Sequence, residues 1–319
     1  MSRPTPEPAA SVPKSAPLVR LGQGDFETRI HPSDLISEGD APTMPTMPTA
    51  TAEIDLGFLE REPAEAYHAR RGELLTSHAL ADFRRCPRLF RRKQLGMIAE
   101  RDSAVFAFGR AAHVLIVEGR ERFDAEFAVG GPINPRTGRP FGSETKAFAE
   151  WAERVGKPVV SEADAALLDR MDASVREHVY ARELLRCGVA EGVVRANYCG
   201  VACQARLDWV NPLDGRGIVD LKTCDDLDRF EEDAVRFGYP HQLSFYREVV
   251  VEAASVELEC HLIAVEKREP FRCGVWQLSR RLIDRAADEN VAAIERLARC
   301  RDTDVWPAGF ESMRLMDLA

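Results

Sequence analysis

Two aspartates and a lysine lie in neighbouring strand-like runs, and together they could hold a divalent cation. Asp208 lies in the run Cys203–Val210, and Asp220 and Lys222 lie in the run Ile218–Thr223. The segment between the runs is rich in Asn, Pro, Asp and Gly, which is typical of a β-hairpin turn. Magnesium prefers carboxylate ligands, and a lysine beside them can orient an attacking water or neutralise charge in a transition state.

The alternation of side chains along a strand decides which of these residues can meet. If the hairpin closes about Asp214, Asp208 and Asp220 lie roughly opposite each other, and Lys222 shares a face with Asp220. Glu191, in the preceding strand-like run, could join this face or be a simple strand-end carboxylate. The same alternation predicts that an apolar face backs the site, made of Cys203, Ala205, Leu207 and Trp209 in the first run.

The elements that position these residues follow from the hydrophobic periodicity, which predicts an α/β domain with one mixed sheet flanked by helices. An antiparallel three-stranded meander is expected at residues 191–198, 203–210 and 218–223, with further strands at 256–265 and 273–278. Helices are expected from Thr76 or Ser77 to Lys93, and at residues 104–118, 144–155, 162–185, 225–236, 240–254 and 279–301, with a loop at 130–143.

Composition sets the amino-terminal part of the chain apart. Nine of the nineteen prolines lie before residue 53, so we predict a largely disordered tail over residues 1–70 and a folded domain over 71–319, with order beginning near Leu74. The formal net charge of −9 does not by itself indicate a nucleic-acid partner. Eight scattered cysteines, no signal peptide and no apolar run of the ~20 residues of a membrane span favour a cytoplasmic protein with reduced cysteines and no membrane association.

Two local features have an ordinary and a functional interpretation. The first predicted helix carries six cations, which would suit a phosphate backbone, although a solvated helix face explains them equally well. His113 lies among small and apolar residues, where an isolated histidine is more often a hydrogen-bonded core residue than a ligand. The six cations are Arg84, Arg85, Arg88, Arg91, Arg92 and Lys93.

A series of short motifs, in this order, resembles the PD-(D/E)XK nucleases. Within them it is most similar to the RecE-type exonucleases (exodeoxyribonuclease VIII and its phage relatives), which share a core with RecB nuclease domains. The resemblance covers about Leu74 to Arg301. The motifs are Ser77-x-x-Leu80 leading to Cys86-Pro87, Gly109-Arg110-Ala111-Ala112-His113, Asn134-Pro135-Arg136-Thr137-Gly138, Glu191, Gln204-x-Arg206-x-Asp208, Ile218-Val219-Asp220-Leu221-Lys222-Thr223 and Tyr239-x-x-Gln242-x-x-x-Tyr246.

The resemblance implies a restriction-endonuclease-like core that hydrolyses phosphodiester bonds in DNA with Mg²⁺ or Mn²⁺. The implied metal ligands are His113, Asp208, Asp220 and the backbone carbonyl of Leu221. Lys222 would position the nucleophilic water, Gln242 and Tyr246 would hold the scissile phosphate or the adjoining strand, and Glu191 would be an additional acidic residue. The residues that we expect to contact DNA are Arg84, Arg88, Arg91, Arg92 and Arg206.

For RecE-like proteins this activity means 5′-to-3′ degradation of one strand from the end of linear duplex DNA. The resemblance therefore also implies a 3′ single-stranded tail, an annealing partner of RecT type, a homo-oligomer, and a recombination or repair role in a bacterial or phage-infected cell. Leu207 replaces the proline of the family name. Cys86 matches the upstream cysteine of iron–sulfur relatives, but Cys260, Cys273 and Cys300 are too widely spaced for the rest, so we expect no cluster.

Two alternatives stay open at this point. One is a RecB-like nuclease that prefers single strands or acts as a subunit of a larger helicase complex. No Walker-type phosphate-binding motif is present, so any motor would be a separate chain. The other is a catalytically inactive DNA-binding module on the same fold. Intact His113, Asp208, Asp220 and Lys222 speak against the second alternative.

Overall fold

The computed structural model of the chain describes residues 53–98 and 104–316, so most of the predicted tail lies outside the described residues. The predicted helices and strands occur in the predicted order, together with short elements that the periodicity does not predict. The elements are α1 (Ala64–Ala69), α2 (Ser77–Arg85), α3 (Pro87–Gln94), α4 (Ala104–His113), a π-helical segment (Val114–Glu118), α5 (Arg120–Glu126), β1 (Ala128–Val129), α6 (Lys146–Val155), β2 (Val159–Val160), α7 (Glu162–Glu177), α8 (Val179–Leu184), β3 (Val189–Tyr198), β4 (Val201–Asn211), β5 (Gly217–Cys224), a 3₁₀ turn (Leu227–Arg229), α9 (Phe230–Phe237), α10 (Tyr239–Ala254), β6 (Cys260–Glu266), β7 (Cys273–Gln277) and α11 (Arg280–Thr303).

The main sheet has five strands in the order β3-β4-β5-β6-β7. Neighbouring strands are antiparallel except β5 and β6, which are parallel and are joined through α9 and α10, as a parallel pair requires. The mixed sheet flanked by helices is therefore confirmed. The periodicity does not predict the small parallel pair of β1 and β2. This pair brings together the two ends of the segment 130–158.

Helices cover both faces of the sheet and form two cores. Strand β6 is buried along its whole length, and its residues alternate between the cores: Leu262 packs with α10 and α11, and Ile263 packs with α4 and α7. A strand that is buried on both faces reads as a continuous apolar run, which is why the sequence places it so clearly. The first core also contains Phe83, Ile218 and Phe245, and the second contains Leu115, Met171 and Leu221.

The hairpin of β4 and β5 has the register that the sequence predicts. Trp209 pairs with Val219, and Asn211 pairs with Gly217, so the hairpin is centred on Asp214. Gly217 adopts a φ of 55°, and a Cβ atom there would lie 2.4 Å from the carbonyl oxygen of Glu259. Only glycine fits at the start of β5, where the new strand meets β6.

The predicted apolar face of β4 needs one correction. Strict alternation would place Leu207 and Trp209 on the same face, but Leu207 packs in the core beneath α10 and Trp209 packs against the other core, while Val210 returns to the first. The opposite strand changes at the same level, where Glu191 has a φ of 55°. Both strands therefore change face at Glu191 and Asp208, where the backbone is locally distorted.

The predicted single helix from Thr76 or Ser77 to Lys93 is in fact two helices. The first is capped by the hydroxyl of Thr76 and ends before Cys86, whose φ of −164° and ψ of 107° are extended. Pro87 then occupies the first turn of the next helix. A proline disfavours helical geometry in the residue before it, which explains the break. The expected helix at 162–185 also divides, at His178, whose imidazole caps the second part.

Residues 53–70 are ordered against the sheet, so the expected start of order near Leu74 is too late. Glu60 pairs with Val193 on the outer edge of β3, and Ile54 N donates to the carbonyl oxygen of Pro212. Helix α1 follows and buries Tyr67. Among the described helices, none is long and apolar enough to cross a membrane.

Candidate metal and active site

Three polar side chains from three elements meet where β3 and β4 change face. His113 Nε2 lies 3.0 Å from Asp208 Oδ2, and His113 Nδ1 lies 3.1 Å from Glu191 Oε1. One ligand atom from each of the three residues lies within 4.8 Å of the others. Glu191, for which the sequence left a simple strand-end carboxylate open, belongs to this cluster. His113 ends α4 immediately before the π-helical segment, a rare geometry that is common at functional sites.

The carboxylate of Asp208 lies at the point where β4 separates from β5. The ladder between these strands ends at Trp209 and Val219. One step further, the backbone N–H of Leu221 donates to Asp208 Oδ2 over 2.9 Å instead of to a strand carbonyl. The side chain thus satisfies a backbone donor that the parting strand leaves without a partner. This bond fixes the carboxylate beside β5.

Asp220 and Lys222 lie on the face of β5 that α10 covers. Lys222 Nζ lies 2.6 Å from Asp220 Oδ2 and donates to Gln242 Oε1 over 3.1 Å. The Gln242 amide donates to Asp220 Oδ1 over 3.2 Å and to the hydroxyl of Tyr246 over 2.8 Å. Gln242 and Tyr246 are one helical turn apart, which is why they face the same site. The aspartate, lysine, glutamine and tyrosine that the sequence singles out therefore form one hydrogen-bonded group.

The pKa values of these groups reflect burial opposed by the neighbouring charges. Burial would lower the pKa of His113, but Asp208, Glu191 and Asp220 raise it to about 9. Burial raises the pKa of Glu191 to about 7 against the attraction of His113. Burial and the charge of Asp208 raise the pKa of Asp220 to about 6 against the attraction of Lys222.

The other two charged groups keep their ordinary ionised forms. Burial would raise the pKa of Asp208, but His113, Lys222 and the Leu221 N–H hold it at about 2. Burial would lower the pKa of Lys222, yet Asp220 and Asp208 raise it above its ordinary value. Lys222 is therefore a fixed cation here, not a base.

The donor set fits a hard divalent cation. His113 Nε2 and Asp220 Oδ2 are buried, and within residues 53–98 and 104–316 neither has a hydrogen bond of acceptable alignment although each lies close to a charged atom. Carboxylates with raised pKa values bind protons where a cation would otherwise supply positive charge. The compact set that offers one ligand atom each is His113, Glu191 and Asp208, while Asp220 lies on the lysine side of Asp208.

Arg206 and Tyr239 support this centre from opposite sides. Arg206 Nε lies 2.5 Å from Glu191 Oε2 and turns that carboxylate toward His113. The ring of Tyr239 lies 4.6 Å from Lys222 Nζ, a cation–π contact. Burial raises the pKa of the Tyr239 hydroxyl, so the ring stays neutral.

Two residues near the site were not predicted from the sequence. Tyr67, on α1, accepts a hydrogen bond from the backbone of Arg206, and burial raises the pKa of its hydroxyl to about 12. Burial and the charge of Lys222 both lower the pKa of His78, in the first turn of α2. Tyr67 lies in the predicted disordered tail, where no sequence pattern indicated a functional residue. His78 occupies an unspecified position of the Ser77-x-x-Leu80 motif.

The predicted DNA-contacting arginines have different surroundings. Arg88 and Arg91 are held by the segment after α11: Arg88 NH2 lies 3.7 Å from Glu311 and Arg91 NH2 lies 3.8 Å from Asp304. The Arg84 guanidinium donates to the Asn290 side chain. Arg92 is exposed, and among the described residues no ion pair involves it. The group is thus not one uniform basic face.

Comparison with known proteins gives a family and a fold. Residues 77–318 match the family described as "PDDEXK-like domain of unknown function (DUF3799)". A protein from Eubacterium rectale, described as a presumed exonuclease, superposes with a TM-score of 0.59 at 14% identity, covering 82% of this chain and 96% of that chain. An alkaline exonuclease from Laribacter hongkongensis matches with a TM-score of 0.28 at 13% identity, over 76% of this chain and 100% of that chain. No curated protein matches. At this identity the first likeness shows a shared fold, and the second carries no weight.

Proposed function

The chain belongs to the PDDEXK-like family DUF3799, whose fold is restriction-endonuclease-like, and from that premise we propose that it is a metal-dependent DNA exonuclease. One observation carries the proposal: His113, Glu191 and Asp208 offer ligand atoms within 4.8 Å of one another, next to the ion pair of Asp220 and Lys222. A surface acidic cluster would have neither the buried lysine nor the raised carboxylate pKa values. Together these features favour hydrolysis of a phosphodiester bond.

The contacts of the candidate active-site residues suggest which of them would bind the metal ion. His113, Asp208 and Asp220 would hold Mg²⁺ or Mn²⁺, with the Leu221 carbonyl as a further ligand and Glu191 as an acidic partner. A divalent cation at such a site supplies Lewis-acid stabilisation of phosphoryl charge and lowers the pKa of bound water.

The protein's own fixed cation lies on the α10 side of that site. Lys222 keeps its proton, so it orients the attacking water and balances the charge that develops on the phosphorus oxygens. The Gln242 amide forms hydrogen bonds with Asp220, Lys222 and Tyr246. These bonds restrict the Lys222 side chain and fix the position of α10 relative to β5. We propose that Gln242 and Tyr246 hold the scissile phosphate or the adjoining strand.

The finer parts of the proposal rest on the resemblance to RecE-type exonucleases. They are 5′-to-3′ polarity on linear duplex DNA, production of 3′ tails for recombination or repair, a RecT-type annealing partner, a homo-oligomer and a cytoplasmic location. DNA contact by Arg84, Arg88, Arg91, Arg92 and Arg206 belongs with them. The RecB-like single-strand nuclease is the competing assignment within the same fold. The inactive binding module is less favoured, because every expected active-site residue is present.

The test is a nuclease assay on end-labelled linear duplex DNA beside covalently closed circular DNA, with Mg²⁺, Mn²⁺ or EDTA. The matched variants are Lys222→Ala and Lys157→Ala, the latter at an exposed lysine whose ammonium donates to the backbone carbonyl of Asp124. We expect the parent and Lys157→Ala to shorten linear DNA from its 5′ ends and to leave the circular DNA intact. Lys222→Ala should cleave neither substrate.

Each other outcome changes a defined part of the proposal. Cutting of the circle would indicate an endonuclease, and loss of label from the 3′ end would reverse the polarity. Preference for single-stranded DNA would favour the RecB-like alternative. An absence of cleavage with both metals, under conditions where the protein binds DNA, would favour the inactive module.

A further inference from the structure

The motif Asn134-Pro135-Arg136-Thr137-Gly138 takes no part in the contacts of the candidate metal site and lies at the tip of a hairpin-shaped loop. Ile133 and Pro140 form an antiparallel bridge at the neck of this loop. Strands β1 and β2 pair in parallel at the two ends of the segment that contains it, which fixes where the loop leaves the domain. We call residues 130–143 the finger.

Hydrogen bonds of one residue close the turn at the tip of the finger. Asn134 N donates to the carbonyl oxygen of Arg139 over 2.8 Å, and the Asn134 carbonyl oxygen accepts from Gly138 N over 2.9 Å. The side-chain Oδ1 of Asn134 accepts from Arg136 N over 2.9 Å. Gly138 has a φ of 67°, which glycine adopts without strain. The turn is therefore pre-organised, and a partner that binds it meets little cost of ordering.

The finger belongs to neither of the two cores. Every residue from 130 to 145 is exposed or half-buried, and the side chain of Ile133 is 55% exposed. A connection of this length that packs so little is typical of a functional loop, because the core does not require it. A defined turn without a packing role indicates a binding role.

The tip of the finger carries positive charge that no neighbouring group compensates. Arg136 and Arg139 are exposed, and within residues 53–98 and 104–316 no ion pair involves either of them. Residues 127–143 contain no aspartate or glutamate, although the whole chain has 52 acidic residues and a formal net charge of −9. Glu162 meets the finger at its base, where a Cβ atom at Gly130 would lie 3.2 Å from the carboxylate. The tip is thus a local basic site on an acidic protein, and it suits a polyanion.

The course of the chain connects the finger with the candidate metal site. The finger follows α5, which packs on the π-helical segment that begins directly after His113. We propose that Arg136 and Arg139 bind backbone phosphates of the duplex whose end lies in the metal site. The proposal rests on the nuclease function and adds a substrate contact to it. Guanidinium groups form paired hydrogen bonds with phosphate, and such contacts position DNA without reading its sequence.

The direct test is the salt dependence of duplex binding, measured in EDTA to prevent metal-dependent cleavage. The test variant is Arg136→Gln with Arg139→Gln, and a second variant changes the same two residues to lysine, which keeps the charge. The control is Arg281→Gln with Arg299→Gln, at exposed positions of α11 that no ion pair in the described residues involves. Both glutamine pairs change the net charge equally, so a general electrostatic effect would act on both.

We expect the glutamine pair in the finger to lower the slope of log affinity against log salt concentration by about 2, because each phosphate contact contributes about 0.9. The loss should be the same for duplexes of different sequence. The lysine pair and the α11 control should keep the slope of the parent. An unchanged slope in the finger variant would overturn the proposal, and so would an equal fall in the control. An equal fall in the lysine pair would also overturn it, because a disturbed turn would then be responsible.

Two further outcomes would assign the finger to another partner and overturn the proposal. If the slope falls with single-stranded DNA and not with duplex, the finger holds a single strand. If the slope with duplex is unchanged and light scattering shows a loss of oligomer mass in the glutamine variant, the finger is a contact between copies of this chain.

Cleavage of linear DNA by the same proteins separates this proposal from the nuclease function. If the parent cleaves and the glutamine pair in the finger keeps the parent's slope, the phosphate contact is refuted while the nuclease function stands. If the parent binds duplex DNA without cleaving it with either metal, and the glutamine pair in the finger alone loses slope, the nuclease function fails and the phosphate contact stands. A parent that neither binds nor cleaves DNA refutes both.

Discussion

Replacing Asp220 by asparagine should make the metal-free protein more stable while it abolishes cleavage. Asp220 is 1% exposed, and burial together with Asp208 raises its pKa from the ordinary 3.8 to about 6. An ionised Asp220 is therefore unfavourable in the folded, metal-free state even with Lys222 beside it. Asparagine has almost the same shape and no charge, so it removes that penalty. It also removes a candidate metal ligand.

The magnitude follows from the size of the pKa shift. A shift of roughly two units corresponds to about 3 kcal/mol at 1.36 kcal/mol per unit. The shift is net of the attraction of Lys222, so the loss of that ion pair is already contained in this value. We therefore expect the Asp220→Asn variant to unfold with a free energy up to about 3 kcal/mol higher than the parent at pH 8 in EDTA.

The pH dependence has a definite sign. Because the folded-state pKa of Asp220 is raised, the folded protein binds more protons than the unfolded chain between pH 3.8 and about 6. The penalty is absent below this window, grows as pH rises through it and is complete above it. The difference in unfolding free energy between Asp220→Asn and the parent should therefore be close to zero at pH 4 and largest above pH 6.

The assay is urea unfolding of both proteins in EDTA at several pH values, followed by the same titration with Mn²⁺. Asp288→Asn, at an exposed position on α11, is the control and should show no such trend. Mn²⁺ should stabilise the parent and not Asp220→Asn. The reasoning is refuted if Asp220→Asn is less stable than the parent at pH 8 in EDTA, or if the difference does not change with pH.

Three further predictions concern the metal, the DNA and the fold. His113→Gln should weaken Mn²⁺ binding by calorimetry at least about tenfold; an unchanged affinity would make His113 a core residue. The double variant Arg85→Glu, Arg92→Glu should lower the slope of log DNA affinity against log salt concentration. Both arginines are exposed, and no ion pair in the described residues holds them. An unchanged slope would show that the helix face carrying them is a solvated surface that does not contact DNA. Gly217→Ala should cost about 2 kcal/mol or more in urea unfolding, since its Cβ would meet the Glu259 carbonyl; a full-stability variant would show that β5 can shift.

The parts of the fold that depend on local patterns could be predicted from the sequence. The hairpin register followed from turn residues around Asp214 and from two alternating runs, and these are short-range signals. The break at Cys86 was not predicted, although Pro87, which disfavours helical geometry in the residue before it, is a local signal for it. Similar local information placed Gln242 and Tyr246 on one face of a helix.

The arrangement of the metal cluster depended on information that no local pattern contains. The sequence left Glu191 undecided because its left-handed backbone conformation is set by packing, not by residue type. Alternation failed at Trp209 for the same reason. Arg88 and Arg91 were predicted to contact DNA or to lie on a solvated helix face, yet Glu311 and Asp304, more than two hundred residues away, lie within 4 Å of them. Such pairings become visible only when the chain is folded.

The pairing of Glu60 with Val193 has a practical consequence for handling this protein. Strand β3 is an edge of the sheet, and its outward N–H and C=O groups at Val193 are occupied by the backbone of Glu60. The side chains of Glu60 and Glu62 also hold Arg195 on the same strand. A chain shortened to residue 71 would uncover this edge, and uncovered edges pair with one another between molecules. Amino-terminal trimming should therefore stop before Glu53, or the shortened protein will tend to precipitate through strand-to-strand association.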